Sequence, residues 1–167
     1  MAEDLKIHKG TKEEQYRSLI PQVQGLLDGE TDPVANMANV VAALREQFNW
    51  FWVGFYIVKP STVITAGDEN TELVLGPFQG PVACTRIKKG RGVCGSSWAE
   101  ARTLIVPDVE KFPGHIACSS LSRSEIVVPL FQNNKVVAVL DVDSSEYDQF
   151  DKTDQFYLEQ ITRLLQL

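Results

Sequence analysis

No apolar run in this chain approaches the ~20 residues that cross a bilayer as a helix. The first residues, Met1-Ala2-Glu3-Asp4-Leu5, are acidic and lead into no apolar leader. Neither a membrane span nor export is therefore expected. Basic residues are in deficit: 16 Lys and Arg stand against 22 Asp and Glu, a net charge of −6. That balance argues against a surface for nucleic-acid phosphates and for a soluble, cytoplasmic protein. Cysteine is scarce and odd in number, three in 167 residues. Without an export signal these read as thiols rather than a disulfide framework, and at least one cannot pair. No two of them have the close spacing of a zinc knuckle, so no structural metal and no cofactor is expected. No nucleophile elbow accompanies His115. Internal repeats and low-complexity segments are missing too. What is left is a globular composition, 44% hydrophobic and 23% charged, in the length of one ordinary domain.

Thr11-Lys12-Glu13-Glu14 has the form of a capping box, and Leu19, Ile20, Val23, Leu26 and Leu27 recur behind it at helical spacing. Pro21 is expected to kink or break that helix, and Gly29 to close it. Asp32-Pro33 predicts a second start, with Val34, Met37, Ala38, Val41 and Leu44 as the buried stripe. Residues 50–58, aromatic and β-branched, read as a buried strand. Short strands are expected at 73–75 and 82–87, around a turn at 76–81, and again at 103–106. A short helix over 93–102 carries Cys94 and Trp98. Residues 110–123 form a long irregular stretch of the kind that is usually functional. A hairpin over 125–131 and 135–142 turns at Asn133-Asn134. The last helix, about 153–167, offers Phe156, Leu158, Ile161, Leu164 and Leu165 as its inner face. This order predicts an α+β fold, a central antiparallel sheet flanked by helices.

The chemistry concentrates around Cys118, Glu125, Asp141 and Asp143. A free cysteine is most often a small core hydrophobe. Cys118, however, stands between Pro113-Gly114 and Ser119-Ser120, which is loop context and favours a nucleophile. An ordinary thiol is only a few per cent thiolate at neutral pH, so it needs a helix N-terminus, backbone N–H groups or a cation such as Arg123 or His115. Cys84 is expected on a strand, and Cys94 at a helix start where the dipole favours the thiolate. If two of the three thiols meet, a sulfenic acid on one is resolved as a disulfide by another. Asp141 and Asp143, two apart, share one face of their strand. With Glu125 they can hold an ammonium, bind a metal, or donate protons if their pKa values rise. Solvated strand ends are the bland alternative. Trp52 reads as core, or as the wall of a pocket for a thioether or methyl group.

The motifs Trp52-Val53-Gly54-Phe55-Tyr56, Leu75-Gly76-Pro77-Phe78-Gln79-Gly80, Ala83-Cys84-Thr85-Arg86-Ile87 and Gly92-Val93-Cys94-Gly95 together resemble the free methionine-R-sulfoxide reductases. So do His115-Ile116-Ala117-Cys118, Ser124-Glu125-Ile126-Val127 and Leu140-Asp141-Val142-Asp143-Ser144. The resemblance runs from about Trp50 to the last helix. It implies a single GAF domain over 1–167 with N-terminal helices, usually a homodimer. It implies Cys118 as the nucleophile toward the sulfoxide sulfur of free L-methionine-(R)-S-oxide. Cys84 matches the resolving cysteine and Cys94 an auxiliary one. Glu125, Asp141 and Asp143 match the acids that hold substrate and protonate the leaving oxygen, and Trp52 the methyl-pocket wall. Thioredoxin is the implied reductant. One departure stands out: Ser119 follows Cys118 where the family commonly has an acid. The rival classes are a ligand-sensing GAF module, to which the cysteine and carboxylate set would be superfluous, and a zinc-stabilised structural protein.

Overall fold

The computed structural model describes residues 4–62, 70–114 and 119–165. Thr11 and Glu14 close their capping box in both directions and open helix α1 (Lys12–Leu27). Pro21 does not break α1, which runs through it. It lies on the exposed side, where water can take over the carbonyl that loses its N–H partner. Asp32 accepts from the N–H groups of Val34 and Ala35 at 2.8 and 2.9 Å and starts α2 (Pro33–Phe48). The buried stripe of α2 is rotated from the expected one. Val34 and Ala38, four apart on one side, face solvent, whereas Met37, Val40, Val41 and Leu44 are buried.

Six strands follow: β1 (Trp52–Pro60), β2 (Thr71–Gln79), β3 (Arg86–Ile87), β4 (Leu104–Val106), β5 (Ser124–Gln132) and β6 (Lys135–Ser144). They pair antiparallel in the order β3-β2-β1-β6-β5-β4. The expected turn at 76–81 is largely strand. β2 runs through Gly76-Pro77 to Gln79 because the β1 register slips between Gly54 and Tyr56. Pro77, which has no N–H to give, falls in that bulge, where a missing donor costs least. The strand expected at 82–87 shrinks to Arg86–Ile87, so Cys84 is not on a strand. The β5–β6 hairpin turns where expected, with Asn133 and Asn134 both left-handed at φ 50° and 61°. Two such residues make the turn whose twist matches paired strands.

Strand alternation divides the sheet into two faces. Val53, Phe55, Ile126, Val128, Leu130, Ala138, Leu140 and Val142 point to one side and pack under α1, α2 and α4 (Lys152–Leu164). Trp52, Tyr56, Val127 and Val139 point to the other, under α3 (Gly92–Glu100), which contributes Val93, Cys94 and Trp98. α4 meets the sheet through Leu158 and Ile161. Phe156, expected on its inner face, is 59% exposed, since the helix period turns it away from the stripe. The result is an α+β fold with, among the described residues, three α-helices on one face and one short α-helix on the other. The functional residues lie on the thinner side.

Candidate active site

The register of three central strands gathers the acids. Glu125 on β5 stands opposite Asp143 on β6, and Asp143 in turn opposite Trp52 on β1. One pleat along, Asp141 stands opposite Val127 on one side and Gly54 on the other. All these positions point to the face covered by α3, because residues two apart on a strand share a face. The first turn of α3 lowers Cys94 onto them. Its Sγ lies 4.0 Å from Glu125 Oε1. Glycines allow that approach: a Cβ at Gly95 would fall 2.4 Å from the Lys88 carbonyl oxygen.

The apolar wall is Trp52. Its ring stacks on Phe78 at 5.5 Å and on Tyr56 at 6.0 Å between centroids. The indole Nε1 donates to the Pro81 carbonyl at 3.0 Å, which fixes the ring orientation. Tyr56 Oη donates to the Cys84 carbonyl at 2.9 Å and ties the 81–85 segment to the sheet. Trp52, Tyr56, Val82, Arg91, Cys94 and Ser122 line one pocket with the three carboxylates.

Electrostatics in this pocket are those of crowded acids, with the Arg91 side chain also on its lining. Burial raises Glu125 well above the usual carboxylate range, and Asp141 and Asp143 push it further. Asp141 is likewise raised well above, by burial and then by Asp143, although hydrogen bonds with Cys94 and Glu125 act against the rise. Asp143 is pushed up to about 6 by burial, opposed by the Ser122 hydroxyl that donates to it. None of the ion pairs among the described residues involves these acids. Asp141 Oδ1 is buried and accepts no hydrogen bond. Such a site retains protons at pH values where ordinary carboxylates have lost them. It is suited to donating a proton, or to receiving a small cation.

Cys94 corrects one expectation. It does lie in the first turn of α3, yet its pKa is raised well above the usual thiol value by burial, then by Asp141 and Glu125. A helix end supplies only about half a charge, and two neighbouring acids outweigh it. Cys94 is a free, protonated thiol. Cys84 is partly buried beside this cluster and disulfide-bonded. Cys118 and His115 lie outside the described residues. The pocket therefore unites Trp52, Cys94, Glu125, Asp141 and Asp143, with Cys84 adjoining it through Tyr56.

A family model for the GAF domain matches residues 30–167. A GAF domain-containing protein A of Dictyostelium discoideum is 63% identical over 99% of both chains. The free methionine-R-sulfoxide reductase of Escherichia coli is 41% identical, over 93% of this chain and 88% of that one. The X-ray structure of the Neisseria meningitidis free methionine-R-sulfoxide reductase, in complex with its substrate, superposes with a TM-score of 0.87. It is 52% identical and covers 97% of this chain and 92% of its own. The chain belongs to the GAF-domain family of free methionine-R-sulfoxide reductases. It is an oxidoreductase with the family's α+β fold.

Within this reductase family fold, the pocket also uses residues that sequence reasoning left without a role. Ser122 holds Asp143, and nothing in a run of serines before β5 marks which one will reach the neighbouring strand β6. Gly54 and Tyr56 were legible only as strand residues. Gly90, Gly92 and Gly95 are spaced as a tight loop into a helix, and that spacing is the signal that could have placed Cys94 against the sheet.

Proposed function

We propose that the chain reduces free methionine-(R)-sulfoxide to methionine, with Cys118 as nucleophile, Cys84 as resolving thiol, and Glu125, Asp141 and Asp143 as binding and proton-donating groups. The observation that carries this reading is the trio of carboxylates, Glu125 and Asp141 buried and Asp143 half-buried, free of any ion pair among the described residues, beside the Trp52 ring. A free amino acid brings an ammonium to offset that charge, and a peptide-bound residue does not. The methyl and thioether carbons pack against Trp52, where aromatic contact with sulfur is favourable.

The chemistry balances in two steps. The Cys118 thiolate attacks the sulfoxide sulfur to form an S–S bond, and the oxygen leaves as water after taking two protons, one supplied by a raised acid such as Glu125 or Asp141. Water then adds to the Cys118 sulfur and gives up a proton as that S–S bond breaks, so methionine leaves with the bond's electron pair and Cys118 becomes a sulfenic acid. The Cys84 thiol then attacks that sulfur, a water departs, and a Cys84–Cys118 disulfide remains. A dithiol of the thioredoxin class reduces it by exchange, which returns both thiols. Cys84 in a disulfide supports its place at the end of this cycle. Cys94, protonated among the acids, serves as an auxiliary group that shapes the pocket floor. We also place the reaction in the cytoplasm, where such reductants work, in a single GAF domain that pairs as a homodimer.

The test is a thioredoxin-coupled NADPH assay with free methionine-(R)-sulfoxide, the (S) epimer and a peptide-bound sulfoxide, each with wild type and Cys118→Ser. Turnover of the free R form alone, lost in the variant, is the expected result. Activity that survives Cys118→Ser would overturn the assigned nucleophile. No turnover of any sulfoxide by fully reduced protein would instead make the pocket a ligand sensor.

A further inference from the structure

We propose that Cys94, Glu125 and Asp141 form a binding site for a divalent cation of the zinc class on the floor of the pocket. The sequence alone points away from zinc, because no ligands are closely spaced along it. The fold instead draws one ligand from each of α3, β5 and β6. The donor atoms of the three side chains all lie within 4.8 Å of one another, and Cys94 Sγ is 4.0 Å from Glu125 Oε1. A tetrahedral zinc ion with ordinary bond lengths needs sulfur-to-oxygen edges of about 3.6 Å. A small inward rotation of buried side chains closes that difference.

A second observation points to a ligand here. Asp141 lines the pocket and is only 6% exposed, and its buried Oδ1 has no hydrogen-bond partner among the described residues. A buried acceptor left unsatisfied is costly, and a cation is one group that removes the cost. Two of the ligands come from paired central strands and one from a packed helix, so the set is held by rigid elements. Three protein ligands leave a fourth position open toward the pocket. The sulfur ligand selects zinc, cadmium or cobalt over magnesium and calcium. On binding, the cation displaces the thiol proton and any carboxyl protons to solvent, and no electron moves. The cation would occupy the acids proposed to hold the substrate's ammonium, so it would compete with substrate. That consequence rests on the functional reading above, whereas the binding itself does not.

The test uses the full chain with Cys84→Ser and Cys118→Ser, in which Cys94 is the one thiol left. Titration with cobalt(II) is expected to give a thiolate-to-cobalt charge-transfer band that saturates at one equivalent. Zinc should bleach it and magnesium should not. Adding Cys94→Ser should abolish it, and Asp141→Asn or Glu125→Gln should each raise the apparent Kd at least tenfold. Thermal unfolding checks that both carboxylate variants are folded. No band in the parent, or folded carboxylate variants that bind cobalt as the parent does, would overturn the site. Free methionine, which binds without a redox step, should raise the apparent Kd for cobalt. Cobalt binding that methionine leaves unmoved keeps the metal site and overturns the amino-acid reading of the pocket. Methionine binding with no cobalt band does the reverse.

Discussion

The Trp52 ring lies over Gly54, two residues along the same strand, and occupies the space where a side chain at Gly54 would stand. A Cβ there would come within 2.4 Å of Trp52 Cη2 and 2.5 Å of Phe78 Cβ. Phe78 Cβ is fixed to the backbone of β2 and has little room to yield. Gly54→Ala is therefore expected to cost about 1–3 kcal/mol through overpacking and to tilt the indole off its hydrogen bond to Pro81. Urea unfolding reads the first effect. A rise in KM for the free sulfoxide larger than any fall in kcat reads the second.

Asp143 makes stability depend on pH in a stated direction. Its folded value is raised to about 6 from the ordinary 3.8 of an aspartate, so between those limits the folded chain holds a proton that the unfolded chain has released. Its contribution to stability is thus fullest below about pH 4 and is lost as pH rises through about 6. Asp143→Asn removes the ionising group. It is expected to stabilise the ligand-free chain at pH 7.5, by something on the order of 3 kcal/mol, and to do much less at pH 4.5. Denaturation midpoints of both proteins at the two pH values check this. A gain that is equal at both would refute it.

The acids should separate in steady-state kinetics. Glu125→Gln keeps the shape but cannot donate a proton as an acid, so kcat is expected to fall about 100-fold, with a smaller change in KM. Asp143→Asn, nearer the mouth, removes a charge proposed to face the ammonium, and KM should rise with kcat less affected. Single-turnover formation of the disulfide, followed by thiol titration, locates the Glu125→Gln defect in the chemical step.

A separate polar cluster ties α1 to α4 far from the pocket. Tyr16 Oη donates to Asp154 Oδ1 at 2.8 Å, and Lys12 Nζ meets Asp154 Oδ2 at 2.5 Å. Asp154 is wholly buried, so its charge depends on those partners. Tyr16→Phe should cost about 1–3 kcal/mol by leaving an acceptor short. Lys12→Met should cost more, because it leaves a buried charge uncompensated. Both variants should keep the parent's kcat and KM, which distinguishes this clamp from the active site.

The sequence by itself determined the features that neighbouring residues decide. The capping residues Thr11 and Asp32, the Asn133-Asn134 turn and the two-residue spacing of Asp141 and Asp143 act within a few positions, where local geometry leaves few choices. Alternation along β6 even settled that both aspartates face one way. Which strands lie beside them is a long-range matter, and there the tertiary structure decided. The bulge that absorbs Pro77 carried β2 through an expected turn and left Cys84 off the strand. Packing of α2 and α4 chose which stripe to bury and turned Val34 and Phe156 to solvent. The state of Cys94 is the clearest case. Its place in a helix's first turn predicts a thiolate, but the fold sets it among Glu125 and Asp141, out of water. Burial and two acids outweigh the partial charge of one helix end, and those neighbours are 31 and 47 positions away along the chain.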